Sequence, residues 1–329
     1  MGYIVEAFSK YAFNAPHAYS YAYDSVYGAY LKANYPYEFY SVMMQHLSEK
    51  GDKDKVTAYK QEMQQAFGIK NGGYKFGLDN REFSIDREHG CINPSLMSIK
   101  SFSQTIADIL YRIGKKKYEN FIDLLEDLRI EGIAESRIID LINMSYFSDF
   151  GSISYLVSAL EYFKLFYKDK KYLQQCKKET MFQNKIDFDI IRKHCDSETV
   201  KMFLKMDSKA ILKDLISKID NRKDSFKEII KKRLDVLGYI DIIDKKYAGY
   251  CVALDVNVDY SPRLKLYALA NGNTIPVKIS KKVYTQNPIR RGDIIKVEQQ
   301  YRKPKMKKVD GEWIETDEKE WWISEYKIY

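Results

Sequence analysis

Asn14, Ala15 and Pro16 read as a helix cap followed by proline in the first helical turn, and His17 comes next. A helix start offers free backbone N–H groups and a dipole that favour an anion. Asn14 and His17 sit at such a start, with Lys32 about four turns further along the same helix. Tyr19, Tyr23 and Tyr27 recur every fourth residue on one face and Tyr21 lies on another; for any one of them, packing is the simpler role. A second concentration lies near the other end. Arg290, Arg291, Lys296, Arg302, Lys303, Lys305, Lys307 and Lys308 face only Asp293 and Glu298 in the same stretch, and the following residues, Asp310 to Glu320, are strongly acidic. That change of sign predicts a hairpin with one basic strand and an acidic tip. Tyr267, Tyr284, Tyr301, Trp313, Trp321 and Trp322 interleave with these cations. Aromatic platforms and cations together hold single strands by stacking and phosphate neutralisation; a protein-binding face is the rival reading. A third set, Asp187 and Asp189 within Ile186–Ile190, has the look of carboxylates that clamp two metal ions. It runs into Arg192-Lys193-His194 and a helix, so a capping or solvated pair is the expectation.

The elements that must carry these residues follow from periodicity. Helices are predicted from His17 to Asn34, from near Glu38 to about Gly51, and from Asp54 to Phe67, closing at Gly68. Turn signals at Asn71-Gly72-Gly73, Asp79-Asn80 and His89-Gly90 separate short strands at Tyr74–Phe76 and Glu82–Ile85. Helices resume at Ser101–Ile113, Tyr118–Leu128, Glu135–Met144 and Ser152–Tyr167. Residues 168 to 235 are lysine-rich and expected to be mostly helical, with Val200, Phe203 and Leu204 assigned to helical spacing. After Gly238 the period changes to two, giving strands at Tyr250–Val258, Leu264–Ala270, Thr274–Ile279, Asp293–Tyr301 and Trp321–Ile328. Five strands in about 80 residues match a small Greek-key barrel of the OB type. Alternation puts Trp321 and Ile323 on one side and Trp322 and Ser324 on the other, so one tryptophan is expected outside the barrel. The fold class is thus α+β, in five parts: 1–70, 71–95, 96–167, 168–240 and 241–329.

Composition bounds the function classes. At 329 residues, with 45% hydrophobic and 14% aromatic content, the chain builds packed cores rather than a disordered tail. No apolar run approaches the roughly 20 residues of a membrane span. The four cysteines, Cys91, Cys176, Cys195 and Cys251, are scattered without a CxxC pair, which argues against a zinc site or a disulfide framework and for a reducing cytoplasm. The net charge of +8 fits either a lysine-rich background or a phosphate-binding face.

Phe8, Tyr11, Phe13, Asn14, His17, Tyr21 and Ala22, followed by Ala29 to Ala33, Tyr35, Pro36, Glu38 and Phe39, resemble the fingers of bacterial C-family DNA polymerase III alpha subunits, which read approximately F-A-x-Y-G-F-N-K-S-H-x-x-x-Y-A and A-Y-L-K-A-H-Y-P-x-E-F. The spacing between the two halves is kept. Ala15-Pro16 stand where that family has Lys-Ser, and Asn34 where it has His. Weaker similarity continues. Leu96, Ile99 and Lys100 fall on the family's helix-hairpin-helix, but Ser101-Phe102-Ser103 replace its glycine turn. Leu141, Ile142, Phe147, Asp149, Phe150 and Gly151 fall on a later segment, and Leu237-Gly238-Tyr239 on the run before its OB domain.

The resemblance implies a C-terminal portion of such a polymerase, with fingers, a helix-hairpin-helix-like module and an OB-fold but no palm. It implies nucleotide contacts at Asn14, His17, Tyr21 and Lys32, and DNA contacts at Lys100, Lys115, Lys116, Lys117, Tyr267, Arg290, Arg291, Tyr301, Arg302, Lys303, Lys305, Lys307 and Lys308. The catalytic Asp triad is absent, so this nucleotidyltransferase fragment is expected to be inactive alone. Mg2+ would be held by the palm of a second chain in a bacterial cell, a split that a phage or rearranged gene would encode. The expected partners are primer-template and single-stranded DNA, a deoxynucleotide triphosphate and that palm-bearing chain, with no membrane. The alternative is a free-standing single-stranded-DNA-binding accessory protein derived from the polymerase.

Overall fold

The computed structural model describes residues 15–329 except 241, 260, 310 and 311, and describes no side chain at 15–17, 53, 309 or 313. The chain divides into two compact units: residues up to Gly73 with Glu82–Ser98, and Tyr74–Arg81 with Ile99–Tyr329.

The first unit is built on helices α1 (Ala15–Asn34), α2 (Pro36–Glu49) and α3 (Lys53–Phe67). Pro36 opens α2, where its missing N–H costs nothing. The Asp52 carboxylate caps α3 by accepting the Lys55 N–H at 3.1 Å, and Gly68 ends it at φ 68°. Tyr40, Met44, Leu47, Val56 and Met63 form the core with Ile69, Phe83 and Ile92. Ile92 lies in the central strand of a three-stranded sheet, β1 (Lys70–Asn71), β3 (Cys91–Asn93) and β2 (Ser84–Asp86). The strand expected at Tyr74–Phe76 is absent: that segment is irregular and belongs to the second unit. There Phe76 donates its N–H to the Tyr146 carbonyl at 2.8 Å and sets its ring against Tyr146, Phe147 and Phe150.

The second unit opens with helices α4 (Gln104–Ile113), α5 (Phe121–Ile130), α6 (Glu135–Asn143) and α7 (Ile153–Phe166), close to their predicted bounds. Ser103, Asn120 and Ser152 cap three of them through side-chain oxygens. In the first unit, Leu96–Ser98, at the start of the run likened above to a helix-hairpin-helix, makes a single 3-10 turn, and Ser95 side-chain and backbone oxygens engage Met97 and Ser98.

Residues 167–206 correct the expectation of a mostly helical connector. They form a hairpin, β4 (Tyr167–Lys168) with β5 (Lys171–Tyr172), and a second sheet in which β8 (Met202–Met206) lies between β6 (Gln175–Lys177) and β7 (Cys195–Glu198). Two short helices, α8 (Lys178–Gln183) and α9 (Phe188–Arg192), link the strands. Phe203 is fully buried and its neighbours in β8 less so; a run of five residues is too short for the periods to separate. Helix returns with α10 (Ser208–Ser217) and α11 (Phe226–Leu237), the latter with a reciprocal Ser225/Glu228 capping box.

Five strands then close into a barrel: β9 (Tyr250–Asn257), β10 (Arg263–Ala268), β11 (Thr274–Ile279), β12 (Ile294–Val309) and β13 (Glu312–Ile328), with α12 (Lys281–Gln286) between β11 and β12. Around the barrel the order is β9-β10-β11-β13-β12 and back to β9. The β11–β13 pair is parallel and the others antiparallel. Inward residues Ala253, Leu264, Leu266, Val277, Ile279, Ile295 and Ile323 fill it. The long β12–β13 hairpin continues past the barrel wall, pairing Met306 with Glu315 and Lys308 with Trp313.

Candidate nucleic-acid interface

In β10, Arg263 and Lys265 are exposed while Leu264 and Leu266 are buried, so the two cations face outward. Register then sets Arg263 opposite Lys278, Lys278 opposite Trp322, and Trp322 opposite Tyr301. Two cations and two aromatics thus form one transverse row across β10, β11, β13 and β12. Lys278 lies with its Nζ 5.7 Å from the Trp322 ring centroid. Lys303 adds a third cation, 4.9 Å from the Trp322 centroid and 5.3 Å from that of Tyr301. Glu320 joins the row from β13, accepting the Trp322 indole N–H at 3.0 Å and pairing with Lys278 at 2.7 Å.

Beside the row runs a concave surface in two adjoining parts that share Arg263, Leu264 and Pro276. One, of about 620 Å³, extends toward Asp255, Asn257, Asp259 and Ser261 at the β9–β10 connection. The other, of about 420 Å³, reaches the hairpin at Lys305, Met306, Glu318, Lys319 and Trp321. Trp321 packs partly into the barrel core, as its inward parity requires, and Arg302 lies across from it with the guanidinium 4.2 Å from the ring centroid. Of Trp321 and Trp322, it is Trp322 that faces away from the barrel core.

The hairpin predicted from the charge switch exists, with one difference. The described acidic residues, Glu312 to Glu320, lie along the returning strand, so the basic strand is paired with them. Lys303 stands opposite Glu320 and Lys305 pairs with Glu318 at 2.9 Å, while nearer the barrel the signs reverse and Lys327 of the returning strand pairs with Glu298 at 2.7 Å. The Lys305 ammonium holds the Glu318 carboxyl below its ordinary range.

The other sequence-derived residues are dispersed. Tyr267 keeps the outward parity of Arg263 and Lys265 but is buried, because α11 and the segment after it cover that end of the barrel; its ring packs with Ile230, Leu234, Val252 and Leu269 and presents no face to a base. Arg290 and Arg291 flank the turn into β12, while Lys307 and Lys308 lie on the hairpin beyond the barrel, separated by roughly 45 Å of extended strand. They do not form one patch. Lys100 is exposed in a turn before α4. Lys115 lies 4.3 Å from the Tyr111 ring centroid, with Arg81 at 3.8 Å from the same ring, Lys116 pairs with Asp127 at 2.7 Å, and Lys117 is exposed.

At the start of the chain, Asn14 and the side chain of His17 lie outside the described residues. Lys32 pairs with Glu62 of α3, and its ammonium sits 5.9 Å and 5.8 Å from the Phe39 and Tyr40 ring centroids. Burial, with Glu62 adding to it, pushes the Tyr40 hydroxyl well above the usual tyrosine range. Tyr21 and the row Tyr19, Tyr23 and Tyr27 are all more than half exposed. Asp187 caps α9 by accepting the Asp189 N–H at 3.0 Å, and Asp189 pairs with Arg192 at 2.9 Å. Among the described residues no three His, Cys, Asp or Glu side chains gather where a metal could sit. No described helix is long and apolar enough to cross a membrane.

Arg263 and Lys278 were missed from sequence. Their only signal there is the alternation of Arg263-Leu264-Lys265-Leu266 and of Val277-Lys278-Ile279; nothing in a single strand tells which residue of another stands opposite.

An α+β chain with an aromatic and cationic row on a five-stranded barrel is the class that fold and site define. In sequence, parts of this chain are similar to bacterial DNA polymerase III alpha subunits. A DNA polymerase III subunit alpha of Ureaplasma parvum is 30% identical over 146 residues, 44% of this chain and 15% of the relative. That of Bacillus subtilis is 26% identical over 175 residues, 50% and 15% respectively, and that of Aquifex aeolicus 31% over 122 residues, 37% and 10%. The matched stretches thus amount to 10–15% of the relatives' length. No family model matches the chain.

Proposed function

We propose that this chain serves DNA replication as a non-palm portion of a C-family polymerase, acting beside a separate palm-bearing chain, and that its barrel is an OB-fold that holds single-stranded DNA. The observation that carries the DNA-holding role is the row Arg263–Lys278–Trp322–Tyr301, which offers phosphate neutralisation and stacking side by side. The strand order, the parallel β11–β13 pair, and a concave surface on β10 and β11 bounded by the β9–β10 connection and the β12–β13 hairpin support the OB reading, since that fold binds oligonucleotides there. Similarity to DNA polymerase III alpha subunits supports the replicative setting in a bacterial cytoplasm. Magnesium and the reacting triphosphate would be held largely by the palm chain, with Asn14, His17, Tyr21 and Lys32 as this chain's proposed contribution to the nucleotide.

The second reading, a free-standing single-strand-binding accessory protein, draws on Lys32, which is engaged with Glu62. Two assays test these proposals together. The isolated chain should retain a labelled single-stranded oligonucleotide and fail to extend a primer with magnesium and nucleotides, extension appearing only when a palm-bearing chain is added. Robust extension by the chain alone would overturn the non-palm role; failure of a palm chain to restore extension would favour the accessory reading; no oligonucleotide retention would overturn both.

A further inference from the structure

The outer row carries its own anion. Glu320 sends both carboxylate oxygens to Lys278, at 2.7 and 2.8 Å, and accepts the Trp322 indole N–H. Lys303 stands directly opposite it on β12. The Lys278 and Glu320 side chains are only 24% and 19% exposed, so this pair is less screened by solvent than most surface ion pairs. Glu320 thus neutralises Lys278 beside the Trp322 ring, with Lys303 across from it on the neighbouring strand. Glu318 acts likewise on Lys305, whereas Arg263 and Lys319 make no ion pair among the described residues.

Resting on the reading of the barrel as a single-strand binder, we infer that Glu320 is an internal competitor for the DNA phosphate, a brake that keeps the grip on a strand weak and exchangeable. A phosphate approaching Lys278 must displace the carboxylate or share the lysine with it, and the carboxylate that remains nearby repels the incoming charge. The consequence is a site that engages a passing strand and releases it, rather than one that holds it.

The test uses the full chain and a fluorescent oligothymidylate of about a dozen residues, titrated at several salt concentrations. Glu320→Gln keeps an oxygen for the Trp322 N–H and removes the charge. Binding by this variant should be tighter by about 3- to 10-fold, and the slope of log affinity against log salt should steepen by about 0.7, the equivalent of one more cation engaged by single-stranded DNA. Glu325→Gln, the same charge change on the same strand but away from the row, should leave both readouts near those of the parent chain. Equal affinity and slope for Glu320→Gln and the parent, or equal tightening by Glu325→Gln, would overturn the brake while leaving the binding site standing. Binding by Glu320→Gln where the parent binds too weakly to measure would support it, and no binding by either chain would overturn brake and binding site together.

Discussion

Lys278 and Trp322 stand directly opposite each other across the only parallel strand pair of the barrel, with the ammonium 5.7 Å from the indole centroid. Because both also face outward, a cation and an aromatic platform are presented side by side. Trp322→Ala removes the platform without emptying the barrel core, which Trp321 and Ile323 line instead. Oligonucleotide affinity should fall by about 5- to 100-fold, measured by anisotropy, with the far-ultraviolet circular dichroism unchanged.

Tyr267 supplies the contrast. It was a natural aromatic candidate from sequence, yet it is 3% exposed, with its hydroxyl directed to the Ile242 carbonyl at 3.4 Å. Tyr267→Phe should leave oligonucleotide affinity within about twofold and lower stability by no more than about 1 kcal/mol, read from the same titration and a denaturant melt.

Asp224 acts on a helix 70 residues before it. Its carboxylate accepts the N–H groups of Ile153, at 2.5 Å, and Ser154, at 3.2 Å, at the start of α7, where Ser152 caps the next N–H. Asp224→Ala leaves two helix donors without that partner and should cost about 1–2 kcal/mol of stability, seen as a lower melting temperature.

Asp127 gives a pH dependence. The Lys116 ammonium, joined by the Tyr118 hydroxyl, holds its carboxyl below the usual carboxylate range in the folded chain. A depressed folded value means that the unfolded chain takes up the proton first. The stabilisation is therefore complete above about pH 4, the unfolded value, and is lost as pH falls through the folded one. Asp127→Asn should lower the melting temperature at pH 7 and make its decline toward pH 3 shallower than in the parent chain.

What was legible in the sequence depended on whether short-range pattern sufficed. Thr274–Ile279 was bounded correctly because alternation and the Asn271-Gly272-Asn273 turn both act within a few residues. The α3 stop at Gly68 was legible for the same reason, a left-handed residue that glycine supplies. The strands of residues 167–206 were not, since runs of two to five residues fit either period. The candidate site was half legible. Tyr301, Arg302 and Lys303 stand out in composition, but Arg263 and Lys278 lie beside them only through register across four strands, and the burial of Tyr267 comes from a covering helix that its own strand does not announce.

The central claim, that the outer row of the barrel holds single-stranded DNA, is tested most directly by reversing two of its cations. The intact chain and an Arg263→Glu/Lys278→Glu variant would be titrated with a labelled oligothymidylate at low and moderate salt. The account predicts salt-sensitive binding by the parent chain that the double variant loses by at least about 30-fold while melting as a folded protein. Equal binding by both chains would contradict it.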